Sequence, residues 1–390
     1  MKSIHSNLAR HFIVSCILFF LIIEPAFSFG KKIKVACLGN SVTYGYHLPH
    51  REIQSYPAQL QNLLGDNYLV KNFGHNGATL LKNGHNPYYK TPEFVEALEW
   101  RPDITIIHLG LNDTDPRDWP DYRGEFMADY SWLIDTLRKV NTAMKIYICM
   151  LTPIFSDHPR FKSGTRNWFW QIQKEIPQIA KANHITCIDL HKPLFDRPDL
   201  FPDNLHPTTE GATIIAKTVF QIITGDFGGF RLASIFEDHM VLQRDRVIPI
   251  YGVANVGEKV TLTFSKSRYT AKTGINGKWI IKLPPMHYGG PYSMVIQSND
   301  NKIIIRDILI GDVWICSGQS NMDFPLKRAA SGNSELSHMK NMKLLRLFHD
   351  KEIQETNDVA WDSLTLLKTN ELKYFSGNWR TCIPGSVKDF

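Results

Sequence analysis

Short apolar-rich runs alternate with amphipathic stretches from Lys32 to about Thr224. Lys34–Leu38, Leu69–Phe73, Ile104–Leu109, Lys145–Leu151 and Ile185–Leu190 are too brief for helices and read as strands. Between them, Ser55-Tyr56-Pro57 opens a helix, with Ser as N-cap and Pro in the first turn. Phe126, Tyr130, Leu133 and Leu137 fall at i, i+4, i+7 and i+11, one apolar stripe of a second helix. A third follows Pro207, with Ala212, Ile215, Val219 and Ile222 on one face. Buried-type strands alternating with helices predict a parallel sheet covered on both faces, a three-layer α/β/α sandwich.

The pattern changes at residues 225–230, a Gly-rich linker. Beyond it come short alternating strands, Val260–Phe264, Trp279–Leu283, Tyr292–Gln297 and Lys302–Ile308, with Ile275-Asn276-Gly277 as a hairpin-turn signal. Residues 231–310 therefore read as a small all-β domain. Asp312–Cys316 reads as a new strand opening a partial second α/β domain over 311–390, which is too short to complete a parallel sheet.

The N-terminus has its own signature. Lys2 and Arg10 precede a twelve-residue apolar run, Phe12 to Ile23, followed by Ala26 and Ser28 in a small-x-small ending. This is the anatomy of a secretory signal peptide over residues 1–28, and the run is short for a membrane span of ~30 Å. The expectation is export to a periplasmic or extracellular space, with no membrane attachment after cleavage, and a first folded domain over 29–224.

Hydrophobic residues at 43% and charged residues at 21% suit a folded chain with large cores. The net charge of +6 is spread out, its densest cluster being Lys31, Lys32 and Lys34, so a nucleic-acid surface is not expected. Cys37, Cys149, Cys187, Cys316 and Cys382 form no disulfide framework, and the first four sit in strand-like runs that predict buried thiols. No Cys/His spacing matches a zinc site, so neither metal nor cofactor is expected.

Four blocks carry chemistry: Gly39-Asn40-Ser41, directly after the first strand; Asn72-Phe-Gly-His-Asn-Gly77, after the second; Gly110-Leu111-Asn112-Asp113, after the third; and Asp203-Asn-Leu-His206-Pro207, before the last helix. Singly each reads as turn glycines, a capping Asp or a solvated His. In this order, three of them at strand ends of one sheet, they resemble the SGNH/GDSL hydrolase superfamily over roughly residues 32–224. That resemblance implies Ser41 as nucleophile, His206 as its general base and Asp203 as the group orienting the imidazole. It further implies an oxyanion hole from the N–H groups of Ser41 and Gly77 and the side-chain amide of Asn112. A serine hydroxyl needs such a base to become nucleophilic, and donors aimed at the developing alkoxide contribute about 2.7–4 kcal/mol each. The family's first block usually reads Gly-Asp-Ser; here Asn40 replaces the acid.

Residues 231–390 resemble the beginning of a sialate O-acetylesterase-type region, through Asp238-His-Met-Val-Leu-Gln243, Gly274-Ile-Asn-Gly-Lys-Trp279 and Gly311-Asp-Val-Trp-Ile-Cys-Ser-Gly-Gln-Ser320-Asn-Met322. By position Ser320 is a candidate second nucleophile. The histidines after it, His338 and His349, have no Asp three positions earlier, so Ser320 is expected to lack a base.

Together the two resemblances imply a serine esterase that removes O-acetyl groups from carbohydrates through an acyl-enzyme, with an acetylated carbohydrate as its partner. His75, Arg117 and Trp119 are candidate substrate contacts, since aromatic faces suit sugar rings and a guanidinium suits a carboxylate. A lipid or thioester hydrolase could use the same constellation. A non-catalytic glycan-binding protein is the further alternative, disfavoured because all five site residues are present.

Overall fold

The structure, a computed structural model, describes residues 31–155, 158, 165–318, 320, 322, 324–339, 342–349 and 377–387. The expected signal peptide lies outside the described residues. Five strands, β1 (Ile33–Gly39), β2 (Tyr68–Gly74), β3 (Ile104–His108), β4 (Lys145–Cys149) and β5 (Thr186–Ile188), form a parallel sheet. Their order is β2-β1-β3-β4-β5. β4 and β5 stop short of the apolar runs that predict them. Leu151 and Leu190 have left the ladder yet remain fully buried, so hydrophobicity marks the core there rather than the strand.

Helices α1 (Ser41–Tyr44), α2 (Arg51–Gln54), α3 (Tyr56–Leu64), α4 (Pro92–Trp100), α5 (Trp119–Tyr122), α6 (Phe126–Val140), α7 (Thr165–Ala182) and α8 (Thr209–Thr224) connect the strands. α3 packs on α8 and α6 on α7, completing an α/β/α sandwich. The expected stripe of α6 is buried at all four positions, Phe126, Tyr130, Leu133 and Leu137. Ser55 stands at the N-cap of α3 but makes no capping side-chain hydrogen bond. α4 and α7 are not signalled by the apolar pattern. α4 has only nine residues, and α7 carries Pro177 inside it, a residue that normally argues against a helix. Val35, Cys37, Leu38, Ile106, Ile107 and Ile148 are fully enclosed at the centre of the sheet, each such large side chain contributing about 1.5–3 kcal/mol.

A second hydrophobic cluster belongs to β6 (Arg231–Leu232), β7 (Val241–Gln243), β8 (Ile248–Val253), β9 (Lys259–Phe264), β10 (Ser267–Lys272), β11 (Lys278–Leu283), β12 (Gly289–Ser298) and β13 (Asn301–Gly311). They form a five-stranded sheet, β10-β9-β12-β13-β7, and a three-stranded one, β11-β8-β6. Strict alternation places Trp279, Ile281 and Leu283 inward and their neighbours outward. The Asn276-Gly277 turn is tight, but it does not close a hairpin. It joins β10 to β11, which lie in different sheets.

The strand expected at Asp312–Cys316 is absent. Residues 312–318 have no regular structure and are exposed, Trp314 at 84% and Ile315 at 93%. An apolar run becomes a strand only where neighbours pair with it, and no described strand does so here. Cys316 is accordingly exposed rather than buried, whereas Cys37 and Cys149 are enclosed and Cys187 half-buried. Farther on lie α9 (Gly332–His338) and the antiparallel pair β14 (Arg346–Phe348) and β15 (Trp379–Thr381). No second parallel sheet occurs among the described residues.

Candidate active site

The register of the parallel sheet aligns Gly39 of β1 with Gly74 of β2 on one side and with His108 of β3 on the other. The loops after three adjacent strands therefore leave from one row, where strand order changes direction. Open α/β sheets form their crevice at such a point. Gly74 is required by the crossing: a Cβ there would lie 2.2 Å from the Tyr44 backbone nitrogen, so α1 could not lie over β2.

Ser41 is the first residue of α1. Asn40 caps it, its Oδ1 accepting the Val42 N–H at 3.0 Å. An Asp in this position would cap equally well, so the Asn40 substitution preserves the local fold while removing a charge one residue from Ser41. His206 Nε2 lies 2.8 Å from Ser41 Oγ, and His206 Nδ1 lies 2.5 Å from Asp203 Oδ2. The other Asp203 oxygen accepts the backbone N–H groups of Leu205 (3.0 Å) and His206 (2.7 Å). Burial alone would push the Asp203 carboxyl up. The hydrogen bonds from the His206 ring and from the two backbone groups outweigh this and hold it below the usual carboxylate value. An ionised Asp203 keeps the His206 proton on Nδ1, leaving Nε2 as an acceptor facing Ser41. The acid and the base are three positions apart, so one turn fixes both.

Gly77 adopts φ +76°, a left-handed turn that favours glycine. Asn112 is buried, and its Nδ2 donates to Ala78 O at 2.9 Å, tying the loop after β3 to the Gly77 turn. Ser41, Gly77, Asn112, Asp203 and His206 thus emerge at the same end of the sheet and are linked by these bonds and the strand register.

The loop following Gly77 is pinned by carboxylates that sequence reasoning did not identify. Asp113, fully buried, accepts the N–H groups of Leu80 (2.9 Å) and Leu81 (2.8 Å). Asp129 accepts that of Lys82 (2.8 Å), and Asp118 those of His85, backbone and ring, both at 2.7 Å. Desolvation outweighs the donors at Asp113 and pushes its carboxyl up to about 7. Asp113 is visible beside Asn112 in the sequence, but its partners lie more than thirty residues away and leave no local signal.

The candidate substrate contacts fare differently. Trp119 is 1% exposed, its indole N–H donating to Gln171 and its ring packed against Phe126. It is a core residue, and the expectation of a sugar platform there is corrected. Arg117 is exposed but forked onto both oxygens of Asp115. His75 joins Glu93 through Nδ1 at 2.9 Å, while its backbone N–H donates to Gly39 O. A cavity of about 360 Å³ opens beside the site, with His47, Leu48 and Pro49 on one wall and Pro202, Asp203 and His206 on the other. Ser320, by contrast, is exposed and has no hydrogen-bond partner among the described residues.

Residues 37–214 match the GDSL-like Lipase/Acylhydrolase family. An acetylxylan esterase from Xylanibacter ruminicola is 35% identical over 218 residues, covering 49% of this chain and 43% of that one. A sialate O-acetylesterase from Mus musculus is 31% identical over 161 residues, covering 38% of this chain and 29% of that one. The chain thus spans less than half the length of either relative. Among solved structures, a carbohydrate acetylesterase from Xanthomonas citri is 28% identical with a TM-score of 0.33, covering 41% of this chain and 34% of that one.

Proposed function

Residues 37–214 form a GDSL/SGNH-type acylhydrolase domain, and from that premise we propose that the chain is a serine esterase releasing acetyl groups from carbohydrates. The observation that carries this reading is the unbroken relay from Asp203 through His206 to Ser41 Oγ. In the proposed reaction Ser41 Oγ attacks the acetyl carbonyl carbon while His206 Nε2 takes the hydroxyl proton. The carbonyl oxygen becomes an oxyanion facing the Ser41 and Gly77 N–H groups and the Asn112 amide. Collapse breaks the bond to the sugar oxygen, which leaves with the proton from His206. Water, deprotonated by His206, then attacks the acetyl-Ser41 ester and releases acetate.

The sugar preference draws on what the relatives are named for, acetylxylan esterase and sialate O-acetylesterase. Residues 1–28 are proposed as a cleaved signal peptide directing export, which amino-terminal sequencing of the mature protein checks. The domain limits 29–224, 231–310 and 311–390 are proposed on the two hydrophobic clusters and the Gly-rich stretch between them.

The test is acetate release from a generic acetyl ester, acetylated xylan and O-acetylated sialic acid, by the wild-type chain and by Ser41→Ala and Ser320→Ala variants. Loss only with Ser41→Ala is expected. Loss only with Ser320→Ala would transfer the chemistry to the C-terminal region, and an inert wild type would favour a glycan-binding protein.

A further inference from the structure

His47 is unexplained by the acyl-transfer reading, and its placement is unusual. It adopts φ +67°, a left-handed conformation uncommon outside glycine, and about 60% of its side chain is exposed. Its ring meets that of His206 edge-on, with centroids 5.6 Å apart. Its Nε2 lies 3.7 Å from Asp203 Oδ2, the same oxygen that faces His206 Nδ1. The ligand atoms of His47, Asp203 and His206 all lie within 4.8 Å of one another, and the three residues line one solvent-open cavity.

We propose that His47, Asp203 and His206 form an inhibitory site for a borderline-soft divalent cation, with zinc as the best match. Two imidazoles and a carboxylate are a donor set that zinc prefers. Bonds of about 2.0–2.1 Å in tetrahedral geometry place ligand atoms ~3.3 Å apart. The His47–Asp203 pair is close to that spacing, and the His206–Asp203 pair needs to open by less than an ångström. The cation takes the lone pair of His206 Nδ1, which otherwise carries the proton. The neutral ring then carries its single proton on Nε2, so it donates to Ser41 Oγ instead of accepting from it. The Nδ1 proton passes to solvent while Nε2 takes one up, so the proton count of the ring is unchanged; the general base is lost, and removing the cation reverses the exchange.

A second cluster, His85, Asp115 and Asp118, is equally close-set but already committed. Both Asp115 oxygens hold the Arg117 guanidinium, and both Asp118 oxygens accept from His85. It serves as the internal control. The two sites could not be read from sequence spacing, because His47 is remote from the Asp203–His206 turn.

The inference rests on the proposed role of His206 for its inhibitory effect, but the binding is measurable separately. Zinc chloride is titrated calorimetrically into the full chain carrying Ser41→Ala, alone and combined with His47→Asn or His85→Asn. Asn tolerates the left-handed backbone at position 47, and circular dichroism verifies folding. One zinc per chain is expected, weakened about tenfold or more by His47→Asn and unaffected by His85→Asn. In the Ser41-containing chain, zinc should suppress acetate release and EDTA should restore it. His47→Asn should demand about tenfold more zinc, relative to its own metal-free rate. Equal zinc affinity with and without His47, or no binding, overturns the proposal. Activity that zinc suppresses equally in both chains overturns it as well. A chain inert toward every ester but binding zinc through His47 would sink the esterase reading and leave this site standing.

Discussion

Two serines in this chain sit in motifs that resemble one hydrolase type, yet their surroundings differ completely. Ser41 is 8% exposed at the start of a capped helix, in a row of loops set by strand register, with an imidazole 2.8 Å away. Ser320 follows an exposed, irregular segment and has no partner among the described residues. The residues immediately before each serine do not account for the difference. Around Ser41, the turn before α8 brings an imidazole from 165 positions away, and β2 and β3 end in the same row as β1. Around Ser320, no described sheet supplies them. A nucleophile motif is therefore only as good as the sheet that completes it.

The comparison breaks most directly at the base. His206→Ala should lower kcat by roughly 10⁴–10⁶-fold, while His338→Ala and His349→Ala leave it unchanged; steady-state acetate release decides. A comparable loss from either C-terminal histidine would mean that the second motif borrows a base. Next, Asn112→Ala should reduce kcat by roughly 10²–10³-fold with little change in KM, because in the proposed reaction its amide faces the developing oxyanion. An effect confined to KM would make Asn112 a ground-state contact instead.

Asp113 sharpens the account of why the first site is rigid. Its folded value of about 7 lies above the usual 3.8, so protons favour the folded state. The stability it contributes is fully present below about pH 4 and is lost as pH rises through about 7. Asp113→Asn turns an amide N–H toward a backbone N–H and should destabilise by about 1–3 kcal/mol. Its melting deficit should be largest in acid and shrink toward pH 8, and a pH-independent deficit would contradict the assignment. At the small end, Ile315→Ala in the exposed segment should change stability by under ~0.5 kcal/mol. Thermal melts compare it with Ile106→Ala in β3, which empties a fully buried position and should cost about 2–5 kcal/mol.

Much of the first region is legible in the sequence because its signals are local. The strand runs, the α6 stripe and the Asp203-x-x-His206 turn each need only a few neighbouring residues. What the sequence hides depends on distant partners. Asp113 binds a loop thirty residues upstream, Trp119 looks like a platform until Phe126 and Gln171 enclose it, and His47 gains meaning only beside Asp203. The run Val313–Cys316 shows the converse, a strand-like composition with no described strand beside it to pair with. Likewise Asn276-Gly277 forms its turn as expected, but the choice of sheet for β11 is made by pairing with β8.

The central claim, one organised nucleophile at Ser41, is tested most directly by trapping. The full chain is treated with a fluorophosphonate, which reacts with base-activated serines, and the adduct is located by peptide mass spectrometry. Phosphonylation on the peptide containing Ser41, abolished by His206→Ala, is the predicted result. An adduct on Ser320, or one on Ser41 that forms equally fast without His206, would contradict it.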